Sequence, residues 1–191
     1  MCPKRKARQL KKIKLLATMI VVGVFLCLYS LRYVNLNNKY PPPHVQQYEE
    51  RQSVPYDSFE LTVLETTFMN QETLDATFQD EHSAGVYPKC IVIDLKIYNN
   101  SQSEKQIEIY PFVLESGAWS NGIHLAAFLA LNADVDQATL TPTLQPGESC
   151  MLKLPFTLTQ EQFKPSQWKN IENRDFQLTF SLYPEKKTIL L

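Results

Sequence analysis

The stretch "YPFVLESGAWSNGIH", residues 110 to 124, brings Tyr110, Phe112, Trp119, Ser120 and His124 close together, with Gly117 and Gly122 between them. Two kinds of chemistry could come from such a set. In one, Ser120 is a nucleophile, His124 its base and Asp134 the acid that orients the base. That arrangement needs a strained elbow presenting the serine and a base brought in by the fold. No elbow motif is present, and Ser120 and His124 are merely close neighbours in the chain. The other chemistry is contact: Trp119, Tyr110, Phe112 and His124 form a candidate interface, because large rings desolvate well and anchor partners. The same rings could instead close the end of a folded domain, with Gly117 and Gly122 supplying positive φ in the turn.

Metal and cofactor chemistry find less support. In "NADVD", Asn132 to Asp136, oxygen ligands stand at positions one, three and five as in a calcium loop. Gln137 occupies the sixth place, where glycine is needed, and Thr143 the twelfth, where a bidentate acid is needed. A solvated loop and a weak surface calcium site both fit. His44, His82 and His124 lack metal-ligand spacing, no CxxC occurs, and no glycine-rich loop could cradle a phosphate. The chain is therefore expected to carry no metal and no cofactor, and not to be an enzyme.

The elements that would position these residues begin with a segregation of charge. Residues 1–14 hold seven of the nineteen Lys and Arg and no acid. The chain from Arg32 onward holds twelve basic against twenty acidic residues, a net of about −8. Between them, residues 15–31, "LLATMIVVGVFLCLYSL", carry no charge. At about 1.5 Å per residue this is close to the shortest bilayer span, and Tyr29 and Tyr33 suit the interfacial belt. The basic flank predicts a cytoplasmic N terminus and an extracytoplasmic remainder. A cleaved signal peptide would need a small-x-small site, and the nearest candidate, ending at Ser30, has Leu28 two residues before it. Cys27 invites a lipoprotein reading, but Leu26 precedes it. An uncleaved anchor in the cell membrane is the expectation, with the bilayer as the partner of residues 15–31. Nucleic acid is excluded, because the basic arm has neither a folded face nor interleaved aromatics.

Residues 32–57 contain Pro41–Pro43 and no sustained hydrophobic period, which predicts a stalk. From residue 58 the period becomes two. Phe59, Leu61 and Val63 share a face. So do Ile91, Ile93, Leu95 and Ile97, with Cys90, Asp94 and Lys96 opposite. Cys150, Leu152, Leu154 and Phe156 align, as do Phe176, Leu178, Phe180 and Leu182. "KQIEIYPFVLE" reads as one further strand, with Pro111 at an edge or bulge. "QPGES" is a tight turn, and Thr159 with Gln162 a capping box over a short helical turn. One apolar face per strand predicts an all-β, antiparallel sandwich of immunoglobulin-like type over residues 58–191, built of five to seven strands. Cys90 and Cys150 face opposite ways, so free thiols are expected, although an oxidising compartment permits a disulfide.

Together, "NNKYPPPHVQQY", "YPFVLESGAWSNG", "LTPTLQPGES", "LPFTL", "QFKPSQW" and "FQLTFSLYPEKKTILL" give the chain its resemblance to a family. It resembles uncharacterised single-span membrane proteins of Gram-positive bacteria grouped as a domain of unknown function. "VIDLKIYNNSQSEKQIEIYPFVL" is more distantly similar to secreted immunoglobulin-like domains of the telokin-like group. The resemblance implies a membrane-tethered, immunoglobulin-like extracytoplasmic domain and no catalytic residue. The function expected from anchor, stalk and sandwich is a binding module for an envelope or membrane protein. A sensor of a small molecule, ion or wall glycan is the alternative, with Trp119, Tyr110, Asp134 and Asp136 as its candidates; a hydrolase is a distant third.

Overall fold

The computed structural model describes residues 3–77, 89–135 and 138–191. They divide into two units, Met1–Pro43 and His44–Leu191. The first is a single helix, α1 (Pro3–Lys39). Its part Lys14–Lys39 is long and apolar enough to cross a membrane. It has no apolar stripe that would mark it as one face of a soluble core. The helix runs past Arg32 because residues 32–39 contain no breaker and the first proline after them is Pro41.

The second unit is a β-sandwich. Its strands are β1 (His44–Glu49), β2 (Val54–Tyr56), β3 (Phe59–Asn70), β4 (Lys89–Asn99), β5 (Lys105–Gln106), β6 (Val113–Ser116), β7 (Trp119–Gly122), β8 (Thr143–Leu144), β9 (Ser149–Leu158), β10 (Gln177–Ser181) and β11 (Glu185–Leu190). Short helices α2 (Gln71–Thr77), α3 (Leu125–Leu131) and α4 (Pro165–Trp168) interrupt them. One sheet runs β1-β11-β10-β6-β7, the other β2-β3-β4-β9, and β5 pairs with β8 in a two-stranded ladder. The period-two residues do what their spacing predicts. Phe59, Leu61, Val63, Ile91, Ile93, Leu95, Ile97, Leu152, Leu154, Phe156, Phe176, Leu178 and Phe180 all enter one core. Each such side chain contributes about 1.5–3 kcal/mol by leaving water. Leu182 leaves the pattern and is exposed, because β10 ends at Ser181.

The stalk predicted over residues 32–57 needs correction. Residues 32–39 are helical, β1 pairs in parallel with β11 from His44 to Glu49, and β2 pairs with β3. Only residues 40–43 join helix to sandwich. β1 carries no run of apolar residues because it lies at a sheet edge, where Tyr48 packs on the core and most of its other side chains meet water. The single strand predicted across 105–114 also divides. Its first part continues alongside 140–144 through the Ile107 N–H to Pro142 O and Ile109 N–H to Leu140 O bonds. A turn at Tyr110–Pro111, closed by the Phe112 N–H to Ile109 O bond (3.0 Å), then sends β6 into the five-stranded sheet.

The long edge of β9 is blunted by two asparagine side chains and one backbone N–H. Asn132 accepts from the Lys153 N–H (2.8 Å) and donates to Lys153 O (2.9 Å), Asn121 donates to Thr157 O, and the His124 N–H reaches Pro155 O. Bonds of this kind remove the exposed template that an edge strand offers to other chains.

Candidate functional site

Cys90 and Cys150 lie on adjacent strands but at different levels, Cys90 opposite Thr157 and Cys150 opposite Ile97. Seven steps of about 3.3 Å put them roughly 23 Å apart, far beyond the reach of a disulfide. Both are free thiols. Cys90 faces away from the isoleucines yet is fully buried, because Leu74, Val92, Met69 and Leu131 build a second small cluster over that face. Burial pushes its thiol up to about 12, and burial reinforced by Glu148 pushes Cys150 up to about 11. Neither is a nucleophile at neutral pH.

The stretch 110–124 is spread over the sandwich rather than gathered. Gly117, at φ +62°, opens the two-residue turn between β6 and β7, where only glycine is unstrained. Gly122 has no such role; it sits in β7 opposite Val113. Trp119 packs on Phe163 (ring centroids 5.2 Å apart) and Phe176 (6.0 Å), and Phe163 stacks on Trp168. Arg174 completes this cap, lying over the Phe163 ring and donating to Ser116 O at 2.7 Å. Trp119 thus closes an end of the sandwich. His124 caps helix α3: its Nδ1 accepts from the Ala127 N–H at 3.2 Å, and burial lowers its pKa. With Nδ1 accepting this bond, the neutral ring carries its proton on Nε2, which is then a donor and not a base toward Ser120. The oxygen of Asn132, first in the calcium-like series, is spent on Lys153. Asp136, Gln137 and His82 lie outside the described residues. Asn99, which heads an "NNS" triplet, is fully buried and donates to Ser103 O and Leu144 O, so its amide cannot accept a glycan.

The structure assembles a different site, around Tyr56 and Asp57. Tyr56 ends β2; its ring meets Phe112 and Phe180 edge-on, each at 5.6 Å, so two buried rings fix its plane. Asp57 begins the two-residue β2–β3 turn at φ +52°, a region that aspartate tolerates better than most residues. Two shallow depressions share these residues. One, of about 360 Å³, is lined further by Ser181, Tyr183, Pro184, Glu185 and Lys187; the other, of about 260 Å³, by Phe59, Gln106, Ile107 and Glu108. Tyr110 stands beside the second, 56% exposed, with its hydroxyl donating to Glu108 at 2.9 Å. Burial first, then the charges of Asp57 and Glu108, raise the pKa of Tyr56. Lys187 donates to Pro55 O at 3.1 Å and lies 3.8 Å from Glu185. Phe112 is the core ring beneath Tyr56 and not an exposed contact residue. Among the described residues no three His, Cys, Asp or Glu side chains converge as a metal site.

Sequence reasoning passed over Tyr56, Asp57 and Tyr183 because they lie in a segment read as stalk and in a strand end. The one legible signal was "VPYDSFEL", a turn dipeptide between alternating apolar positions.

An N-terminal apolar helix and a β-sandwich define the class of protein. The chain belongs to the family described as "Domain of unknown function (DUF5028)", whose model matches residues 45–187. No curated protein matches the chain. Among solved structures it is similar to the yjhA protein from Bacillus subtilis, at 12% identity and a TM-score of 0.45, covering 75% of this chain and 98% of that one. It is also similar to a conserved hypothetical protein from Bacillus anthracis, at 13% identity and 0.45, covering 69% and 87%. A third is an uncharacterized β-sandwich protein from Clostridium difficile 630, at 12% identity and 0.41, covering 78% and 96%.

Proposed function

We propose that the chain is a membrane-anchored, non-enzymatic binding module that presents an immunoglobulin-like sandwich outside the cell membrane and engages a component of the envelope through the cleft at Tyr56 and Asp57. The anchor reading rests on Lys14–Lys39, and the orientation on the basic arm before it. Two packed sheets of five and four strands support the immunoglobulin-like description. The observation that carries the binding function is the cleft itself: a tyrosine held rigid by two core rings, between depressions that offer polar groups to solvent. A protein partner anchored on Trp119 has less support, since that ring is committed to Phe163 and Phe176.

The test has two parts in intact bacteria expressing the full chain. A cysteine at exposed position 102 (Gln102→Cys) is expected to react with a membrane-impermeant maleimide before lysis. A photo-reactive amino acid at position 110 is expected to crosslink a discrete envelope component, protein or glycan, that the same group at position 102 does not. Labelling only after lysis would overturn the orientation, and identical products from both positions would overturn the cleft as the binding surface.

A further inference from the structure

The cleft's lining points to the chemical class of its ligand, an inference that rests on the binding reading above. Its two depressions meet at Tyr56 and Asp57, so a ligand occupying both has two consecutive units straddling one tyrosine. The lining of the first depression includes the rings of Tyr56, Tyr183 and Pro184, apolar groups of the kind that suit the C–H face of a saturated ring. The polar lining groups are mainly hydrogen-bond acceptors: the carboxylates of Asp57, Glu108 and Glu185, with the Gln106 amide and Ser181 hydroxyl able to act either way. Three carboxylates against Lys187 leave the lining net negative, which works against phosphate- or carboxylate-bearing polymers. Neutral ligands rich in hydroxyl donors meet no such penalty, and an O–H donated to a carboxylate is among the stronger hydrogen bonds. No cluster for a divalent cation exists among the described residues. We infer that the Tyr56–Asp57 cleft binds an uncharged oligosaccharide across two sugar units, with Tyr56 and Tyr183 stacking on ring faces and Asp57 and Glu108 accepting from hydroxyls.

The test is calorimetric titration of the full-length chain in phospholipid nanodiscs, so that no glycosidic detergent competes. The probes are chitotriose and cellotriose, with spermidine as a cationic control and poly(glycerol phosphate) as an anionic one. Saturable heat is expected with at least one of the two trisaccharides and none with poly(glycerol phosphate). Asp57→Asn retains a residue that tolerates the turn's φ and removes one charge-assisted acceptor, so it is expected to weaken binding about ten-fold, the equivalent of one such bond. Tyr110→Ala, on the exposed rim, is expected to weaken it without moving the melting temperature. Trisaccharide affinity unchanged in Asp57→Asn would overturn the assignment, as would heat from spermidine alone. Silence from every probe while position 110 still crosslinks a protein would sink the saccharide and leave the binding module standing. Silence in both would remove the binding module as well.

Discussion

Trp119 and Tyr110 flank one short strand, β6, and have opposite fates. Trp119, just after the strand, is drawn into a ring cluster with Phe163, Phe176 and Trp168, and Arg174 ties the neighbouring turn down. Tyr110, just before the strand, sits on a turn and keeps its ring in water, while the buried Phe112 two residues on supports Tyr56. Aromatic content is the same at both places; the difference is what lies beneath. Where rings find other rings the surface closes and contributes stability. Where a ring is left uncovered, it stays exposed to solvent. Exposure of an aromatic is therefore informative only with its support in view.

That contrast can be broken from either side. The largest effect is expected from Phe112→Ala, which removes a fully buried ring under the open end. It should destabilise by about 3–5 kcal/mol, and the urea midpoint of unfolding measures it. Trp119→Ala should cost less, about 2 kcal/mol, because the ring is only partly buried, and should leave crosslinking from position 110 intact. Loss of that crosslinking in a folded Trp119→Ala protein would show that the two surfaces are not independent.

Two smaller effects concern charge. Glu115, on β6, is pushed up by burial, but hydrogen bonds from Lys186 (2.6 Å), Thr179 (2.7 Å) and Gln177 (3.1 Å) outweigh this and hold it below the usual carboxylate range. A lowered carboxylate pKa stabilises above its unfolded value, about 4.5, and the contribution is lost as pH falls through the folded value. Glu115→Gln should therefore cost about 1 kcal/mol at pH 7, with the deficit shrinking below pH 4.5. Denaturant melts at pH 7 and pH 3.5 would show it; a pH-independent deficit would assign the loss to packing.

His124 should give the smallest change. Its folded pKa lies below the ordinary 6.5, so the unfolded chain binds more protons just below that pH and stability falls as pH drops from about 6.5. His124→Asn keeps an N-cap acceptor and removes the titration. The variant's stability curve should be flatter between pH 6.5 and 5 by a few tenths of a kcal/mol, since the site is partly solvated. An unchanged slope would place that pH dependence elsewhere.

How much was legible follows from range. Period two exposed the inward faces of β3, β4, β9 and β10, because one buried side per strand writes itself into the sequence. Turn chemistry exposed Gly147, at φ +76°, and Gln162, whose side chain accepts from the Thr159 N–H at 3.0 Å. β1 and β2 were hidden, because an edge strand needs few apolar residues and β1 finds its partner at the far end of the chain. The strand break at Tyr110–Pro111 was hidden for a related reason: the apolar pattern continues through it while the backbone changes sheets.

The candidate site shows the same division. Tyr110 was singled out from sequence, while Tyr56, Asp57 and Tyr183 were not, since residues 56, 108 and 183 meet only after three segments fold together. By itself the sequence determined the apolar helix, the charge segregation and the inward faces, all set by local periodicity and composition. Only the tertiary structure decided which aromatic was covered, which cysteines could never meet and where a cleft would open. Those depend on pairings between distant segments, and no short window of residues records them.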